Sequence, residues 1–379
     1  MEDEKKEIER LTEAIVSGEI EFPYQSLYIS QPSSLFENLV KFSGNPISGN
    51  RYHLHSYYPR RGLYLPPKFR KEFVIILGTR EQYFEMDVLS DYFVESVRLM
   101  ARRNEQKHTP LEAWKDRDIA RKIAEVVVQF EEITPEKLRH ALYHIIPETK
   151  IFRPTWAKTL LDIVLGKELS RSGRVKWLDI SAGWGDRLLT AMSINAEYLG
   201  FDPNLKLKEG HDSMIKMFGD PQRQKVVYEA FEKSEASSSF GNVDIVLTSP
   251  PYFNTEIYDD GTDQSVLSYP TFEEWIIRFL FASLIKVWKL LKPGGFLILH
   301  VGDTRTARMC EPMNIFIDKY LPLSSWEGVI GVEGENRKPR PVWVWKKALS
   351  PSSRFTWKPD IKRNLRDLYP NIMRHMEFL

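Results

Sequence analysis

The chain has little that would staple or anchor it. Among its 379 residues Cys310 is the one cysteine, so a disulfide framework and a thiolate metal cage are both excluded. No uninterrupted apolar run approaches the ~20 residues that span a bilayer, and the acidic start Met1-Glu2-Asp3-Glu4 is unlike a secretory leader. The expectation is an intracellular protein without membrane association, nuclear in a eukaryote and otherwise cytoplasmic. Net charge is almost absent as well, at +1, but it is unevenly spread. Residues 41–80 hold eight Lys/Arg against Glu72 alone, and residues 337–379 hold eleven against three acids, net +7 and +8. Two basic blocks in a neutral chain suit a polyanionic partner. Internal repeats are missing, and the only low-complexity tract is Ser237-Ser238-Ser239.

What is present changes character along the chain. Residues 1–20 read as a solvated amphipathic helix. Residues 43–70 interleave base and aromatic, with Arg51, Tyr57, Tyr58, Arg60, Arg61 and Tyr64 among them. That composition suits phosphate neutralisation and base stacking, or else a small aromatic mini-core with snorkelling arginines. A strand at Phe73–Leu77 is followed by helical patterns at 84–102, 109–130 and 135–146, the last opened by Thr134 as N-cap with Pro135 behind it. A mostly helical N-terminal domain is therefore expected over 1–146.

From about residue 151 strands alternate with helices. Val175–Ile180, Tyr198–Phe201, Val226–Tyr228, Val243–Leu247 and Phe296–His300 are the strand candidates, which predicts an α/β domain over 147–349 with a mainly parallel sheet. A helix over 272–291 opens with the capping box Thr271/Glu274 and ends at Pro293-Gly294-Gly295. Residues 350–379 form a basic tail, read as a phosphate-gripping segment or as a solvated helix.

Two stretches carry chemistry. In Asp179-Ile180-Ser181-Ala182-Gly183-Trp184-Gly185 a strand runs into a Gly-rich turn and then a helix. Asp202 follows at the end of the next strand, where an acid accepts ribose hydroxyls. The third glycine of the dinucleotide fingerprint is replaced by Leu188, which disfavours a pyrophosphate cofactor and favours a nucleoside without one, such as S-adenosylmethionine. The second stretch is Ser249-Pro250-Pro251-Tyr252-Phe253, directly after an apolar strand. Two prolines end ladder pairing and stiffen the exit. A hydroxyl, an unoccupied Pro250 carbonyl and two flat rings form a grip for an amino group on a planar ring.

With both stretches in order, the chain resembles the amino-methyltransferases that act on exocyclic amines of nucleic-acid bases. Their turn is (Asp/Asn/Ser)-Pro-Pro-(Tyr/Phe/Trp), downstream of Asp-x-x-x-Gly-x-Gly. Phe152-Arg153-Pro154-Thr155 and Leu291-Lys292-Pro293-Gly294-Gly295 are further family-like pieces, and the match spans about 150–346. The resemblance implies a Rossmann-like methyltransferase sheet with S-adenosylmethionine as methyl donor and no metal. It implies a cofactor site of Asp179, Ser181, Gly183 and Gly185, with Phe152 and Thr155 closing over it and Asp202 on the ribose. Either Glu229 or Glu232 would take the adenine amino group. Ser249 and Pro250, held by Pro251, would accept the target amine's N–H bonds, with Tyr252 stacked on the base and Phe253 lining the pocket. Glu256, on a long polar loop over Asn254–Tyr269, would belong to a lid or to a disordered surface loop. Asp303 would line the pocket or be structural.

The serine form of the turn is most similar to cytosine-N4 enzymes acting on DNA. Adenine-N6 enzymes, RNA base methyltransferases and an inactive nucleic-acid-binding partner subunit are the alternatives. Ser181 departs from the phenylalanine of many members. Between Gly185 and Phe253 there is no room for an inserted recognition domain. Recognition of DNA, or alternatively RNA, then falls to the N-terminal domain, to a partner, or to the tail side, with Arg51, Arg60, Arg61, Arg337, Lys338 and Arg340 as phosphate contacts. Monomer and homodimer are both open.

Overall fold

The computed structural model describes residues 2–43, 75–77, 84–259, 263–333 and 339–349. Its centre is an eight-stranded sheet. The strands of the molecule, in chain order, are β1 (Ile75–Leu77), β2 (Arg102–Arg103), β3 (Lys176–Asp179), β4 (Glu197–Phe201), β5 (Gln224–Val227), β6 (Val243–Thr248), β7 (Glu256–Ile257), β8 (Leu291–His300), β9 (Ser324–Glu333) and β10 (Pro339–Lys347). The order across the sheet is β1-β9-β10-β8-β6-β3-β4-β5, with β2 and β7 forming a separate two-stranded ladder. All neighbours in the large sheet are parallel except β10, which runs antiparallel to both β8 and β9. This is the expected Rossmann-like sheet. From β3 the chain winds outwards through β4 to β5, then returns to place β6 on the other side of β3. The reversal between β3 and β6 is a topological switch point, where open α/β sheets leave a crevice at the strands' carboxyl ends.

The central strands are apolar on both faces because helices cover both. Leu178, Leu199, Val246 and Leu297 pack on the side of the helix that runs through Trp275 to Trp288. Trp177, Tyr198, Ile245 and Ile298 pack on the opposite side with helices Pro154–Leu165 and Asp186–Ser193. Helices Phe84–Asp87 and Asp91–Arg98 contribute Met86 and Val94 to that second cluster, and β1 pairs with β9. Helices Glu2–Ser17, Pro110–Lys115, Arg117–Val127 and Pro135–Ile145 share a third cluster, in which Leu11 and Ile15 of the first helix are buried. The two groups meet over a buried ion network. Arg98 bonds Asp91 and Glu148, each at 2.7 Å, and Arg139 bonds Glu148 at 2.8 Å.

Several local expectations hold. Thr134 accepts from the Lys137 N–H, and Thr271 accepts from the Glu274 N–H at 3.2 Å. Others change. The helix opened by Thr271 stops at Leu290, and Pro293-Gly294-Gly295 lies inside β8 instead of behind the helix as its stop. Gly294 takes φ +84, and the β6–β8 register shifts between Val243 and Ile245, which absorbs the proline. The same helix also carries a seven-residue π-helical stretch, Trp275–Phe281. Strands β9 and β10 were not among the expected strands; they pair with each other as consecutive strands of the chain, and their other partners, β1 for β9 and β8 for β10, lie farther off in sequence. Among the described residues no helix is long and apolar enough to cross a membrane.

Candidate active site

β3 ends at Asp179, and the chain turns through Ser181 and Gly183 into the helix Asp186–Ser193. Asp179 is fully buried. Its Oδ1 accepts the Ser181 N–H at 3.2 Å, and its Oδ2 accepts Arg187 Nε–H at 2.7 Å and the Tyr198 hydroxyl at 2.9 Å. Arg187 also donates to the Ser181 carbonyl. Asp179 thus braces the turn from beneath, with a buried cation as its partner.

The two glycines of the turn do different jobs. At Gly185, with φ +89, an added Cβ would meet Met214 Sδ at 2.7 Å, so the buried Met214 side chain would have to turn aside. At Gly183, with φ +58, an added Cβ would find nothing nearer than 3.8 Å. The Gly183 N–H donates to Asp202 Oδ2 at 2.9 Å, and His211 Nε2 lies 2.9 Å from its carbonyl. A carbonyl only accepts, so Nε2 carries the proton and Nδ1 accepts from the Tyr228 hydroxyl 3.1 Å away. Burial pushes the His211 pKa down to about 4, which keeps the ring neutral.

At the switch point lies a cavity of ≈ 1470 Å³. It brings together residues far apart in the sequence. Of those singled out above, Phe152, Ser181, Gly183, Asp202, Glu232, Ser249, Pro250, Pro251, Tyr252, Phe253, Glu256 and Arg340 line it. Five others do not. Asp179 is sealed behind the turn and Gly185 faces Met214, as above. The Thr155 hydroxyl donates to Asp87 at 2.7 Å. Glu229 is exposed to solvent outside the cavity, which leaves Glu232 on its wall. Asp303 Oδ1 accepts the N–H groups of Met309 and Cys310, both at 2.9 Å, and so caps the start of the helix Cys310–Tyr320. Arg51, Arg60, Arg61, Arg337, Lys338 and the tail 350–379 lie outside the described residues.

On the β6 side, the Ser249–Phe253 turn is held by His300, the last residue of β8. Ser249 Oγ and the Tyr252 hydroxyl each lie 3.1 Å from His300 Nδ1, and Tyr252 donates to the His300 carbonyl at 3.0 Å. Burial, with help from Arg340 and Arg187, pushes the His300 pKa down to about 3, and its Nε2 is buried without a partner. The Pro250 carbonyl accepts no backbone hydrogen bond among the described residues. Phe253 sits at φ +50, unusual for an aromatic residue. Its ring is fixed by Phe272 at 5.7 Å and by Trp275 at 5.9 Å, at the start of the π-helical stretch.

The loop after the turn is folded where it is described. β7 pairs with β2, Asn254 accepts from the Thr306 hydroxyl, and Lys206 pairs with Asp259. Tyr258 donates to Glu256 at 2.7 Å, and its ring lies edge-on to Trp184 at 5.9 Å. Residues 263–266 of the loop also line the cavity.

Four carboxyls on the cavity wall, Asp91, Asp186, Asp202 and Glu232, have raised pKa values, with burial the main cause in each. Asp186 reaches about 7 and Asp202 about 6, while Glu232 is raised despite a hydrogen bond from Tyr269. Among the described residues, Asp202 accepts the Gly183 and Asn204 N–H groups alone, one on each oxygen, and Glu232 Oε2 is buried with no partner. A carboxylate has about four acceptor sites, so unused capacity faces this space. Asp186, Trp184 and His300 were not among the expected site residues. The sequence signal for His300 was its place at the end of the strand candidate Phe296–His300, and for Asp186 its place directly after the second glycine.

No family model matches the chain, and no curated protein matches it. Solved structures similar to it include TrmN from Thermus thermophilus, at 14% identity over 58% of this chain and 69% of that one, with a TM-score of 0.35. An rRNA methylase from Streptococcus thermophilus is 11% identical over 53% of this chain and 99% of its own, with a TM-score of 0.34. A Listeria monocytogenes protein, assigned provisionally to the class I S-adenosylmethionine-dependent methyltransferases, is 14% identical over 98% of this chain and 99% of its own, with a TM-score of 0.40. At such scores the likeness carries no weight for function, which rests on the site itself.

Proposed function

We propose that the chain is an S-adenosylmethionine-dependent methyltransferase acting on an exocyclic base amine, with N4 of cytosine in DNA as the favoured target and adenine N6 as the alternative. One observation carries this reading: a single cavity joins the Gly183–Asp202–Glu232 wall to the Ser249–Phe253 turn. The first wall fits the cofactor. Glu232 Oε2, buried and orphaned, suits an adenine amino group, and the free lone pairs of Asp202 suit ribose hydroxyls. The open room at Gly183 lets a ligand approach the backbone. When bound, S-adenosylmethionine supplies a methyl group already activated by its sulfonium.

The chain's own residues then handle the amine. Its lone pair is delocalised into the ring, so it is a poor nucleophile. Ser249 Oγ and the Pro250 carbonyl accept its two N–H bonds and draw the nitrogen towards tetrahedral geometry. His300 holds the serine hydroxyl at Nδ1 and the Tyr252 hydroxyl at its carbonyl, which fixes the grip before substrate arrives. Tyr252 stacks on the base, and Phe253 closes the wall. Most of the acceleration is alignment, with reacting atoms about 3–3.5 Å apart. The nitrogen would gain the methyl carbon as the donor's sulfur–methyl bond breaks to leave a neutral thioether, and it would then lose one proton to solvent. In a duplex the base is first extruded, at a cost of about a few kcal/mol. Of the expected phosphate contacts, Arg340 is the one among the described residues, and it lies half-buried on the cavity wall.

The test is mass spectrometry of nucleosides after incubation with methyl-labelled S-adenosylmethionine and either DNA or RNA. N4-methylcytosine from DNA is the expected product. N6-methyladenine selects the alternative target, label found in RNA alone refutes DNA as substrate, and no label in either refutes the activity.

A further inference from the structure

Asp186 is a buried carboxyl with no ion-pair partner among the described residues, and only the field of nearby Arg187, itself bound to Asp179, favours its charged form over the repulsion of Asp91. It is 2% exposed and lies on the cavity wall beside Phe152 and Gly183. Its Oδ1 accepts the Ser90 hydroxyl at 2.6 Å, and its Oδ2 accepts the Phe152 N–H at 3.2 Å; both donors are uncharged. Among the described residues no Lys, Arg or His forms an ion pair with it. Its neighbour Arg187 is committed to Asp179 and the Ser181 carbonyl. From the facing helix, Asp91 adds a like charge whose own partner is Arg98. A buried carboxylate in such surroundings is stabilised by an incoming cation. Two of its acceptor sites are already used, and about two remain for a ligand.

We infer that Asp186, and not Asp179, is the carboxylate that receives the ammonium group at the amino-acid end of the cofactor. The inference rests on the S-adenosylmethionine reading above. The rest of the wall leaves this end for the ammonium: Glu232 is matched to the adenine and Asp202 to the ribose. Asp202 is bonded to Gly183, in the turn that leads directly into Asp186. Phe152, whose N–H sits on Asp186, closes the same end.

Titration gives the inference a signature. The free carboxyl is half-protonated near pH 7, and an ammonium ion binds the ionised form. Affinity for an ammonium-bearing ligand therefore falls as pH drops below 7, by up to about fiftyfold between pH 7 and pH 5. Asp202 and Glu232 also titrate, but they face the ribose and the adenine. Those moieties are shared by 5′-methylthioadenosine, which lacks the ammonium, so their effect cancels in a ratio of affinities.

The experiment is calorimetric titration of the full chain at pH 5, 6 and 7 with S-adenosylmethionine, S-adenosylhomocysteine and 5′-methylthioadenosine. The expected result is that the first two weaken steeply towards pH 5 relative to the third. Retention of the effect by S-adenosylhomocysteine assigns it to the ammonium and not to the sulfonium. In Asp186→Asn the ratio becomes flat with pH, while 5′-methylthioadenosine binds as before and so reports an intact fold. A flat ratio in the native chain overturns the inference and leaves the cofactor reading standing. If none of the three ligands binds, that reading falls and the inference falls with it. Should Asp186→Asn fail to fold, the native pH series decides alone.

Discussion

Replacing each glycine of the cofactor turn by alanine separates packing from binding. At Gly185 two costs add. A side chain at φ +89 sits in the left-handed region, which costs roughly 1–2 kcal/mol. The new methyl would lie 2.7 Å from Met214 Sδ, 2.8 Å from Met214 Cε and 3.2 Å from His211 Cδ2. Turning aside the buried Met214 side chain and pressing on the His211 ring costs roughly 1–3 kcal/mol more. Gly183→Ala carries only the backbone cost, because its nearest neighbours are 3.8 and 4.0 Å away. Its methyl instead takes room from a ligand on the cavity wall. Gly185→Ala is therefore expected to lose about 2–5 kcal/mol of stability, and Gly183→Ala about 1–2. The ranking reverses for binding: Gly183→Ala should weaken S-adenosylmethionine by about tenfold or more, the equivalent of ~1.4 kcal/mol. Urea unfolding reads the first ranking, as midpoints at an unchanged slope, and calorimetry reads the second. A Gly185→Ala chain as stable as the native one would refute the packing argument. Undiminished binding by Gly183→Ala would refute the cofactor placement.

Three further outcomes follow from the same geometry. Asp179→Asn leaves Arg187 buried without its counter-charge, and a stability loss of about 3–5 kcal/mol is expected in chemical unfolding; a loss below one kcal/mol would mean the pair is not structural. His211 has a folded pKa of about 4, below the roughly 6.5 of a free imidazole. The unfolded chain therefore binds that proton first, and stability should fall as pH drops from about 6.5 towards 4, by up to about 3 kcal/mol. In His211→Gln that component should vanish from the pH dependence of urea unfolding, and an unaltered dependence would contradict the assignment. Tyr252→Ala removes both the proposed stacking face and a hydroxyl held by His300. Methyl transfer should fall at least about a hundredfold, in keeping with the loss of alignment, while S-adenosylmethionine still binds; transfer at the native rate would rule out the stacking role.

The fold was legible where the pattern is local. Val243–Leu247 and Tyr198–Phe201 are short, apolar, bounded runs, and they form β6 and β4 within a residue or so of their expected ends. Pro293-Gly294-Gly295 misled because the triplet has the composition of a helix stop. A glycine at φ +84 and a register shift let β8 run straight through it. β9 and β10 escaped although they are consecutive in the chain and pair with each other; their outer partners, β1 and β8, are distant in sequence, and that pairing leaves no local trace.

For the site, the sequence by itself determined the residue types that carry chemistry. A Gly-x-Gly turn after one strand and a Ser-Pro-Pro-Tyr turn after another are local motifs, since a turn's requirements are met within a few residues. Which of those residues reach the cavity was decided only by tertiary structure. Glu229 and Glu232 have the same chemistry three positions apart; burial turns one to the wall and leaves the other in solvent. Asp179 and Asp186 flank one turn. The first is taken by Arg187, and the second is left on the cavity wall with no ion-pair partner among the described residues. His300 joins the target-side turn because β8 lies beside β6 in the sheet. Charge pairing and burial depend on what the rest of the chain brings near a residue, and that proximity exists only once the sheet has closed around the switch point.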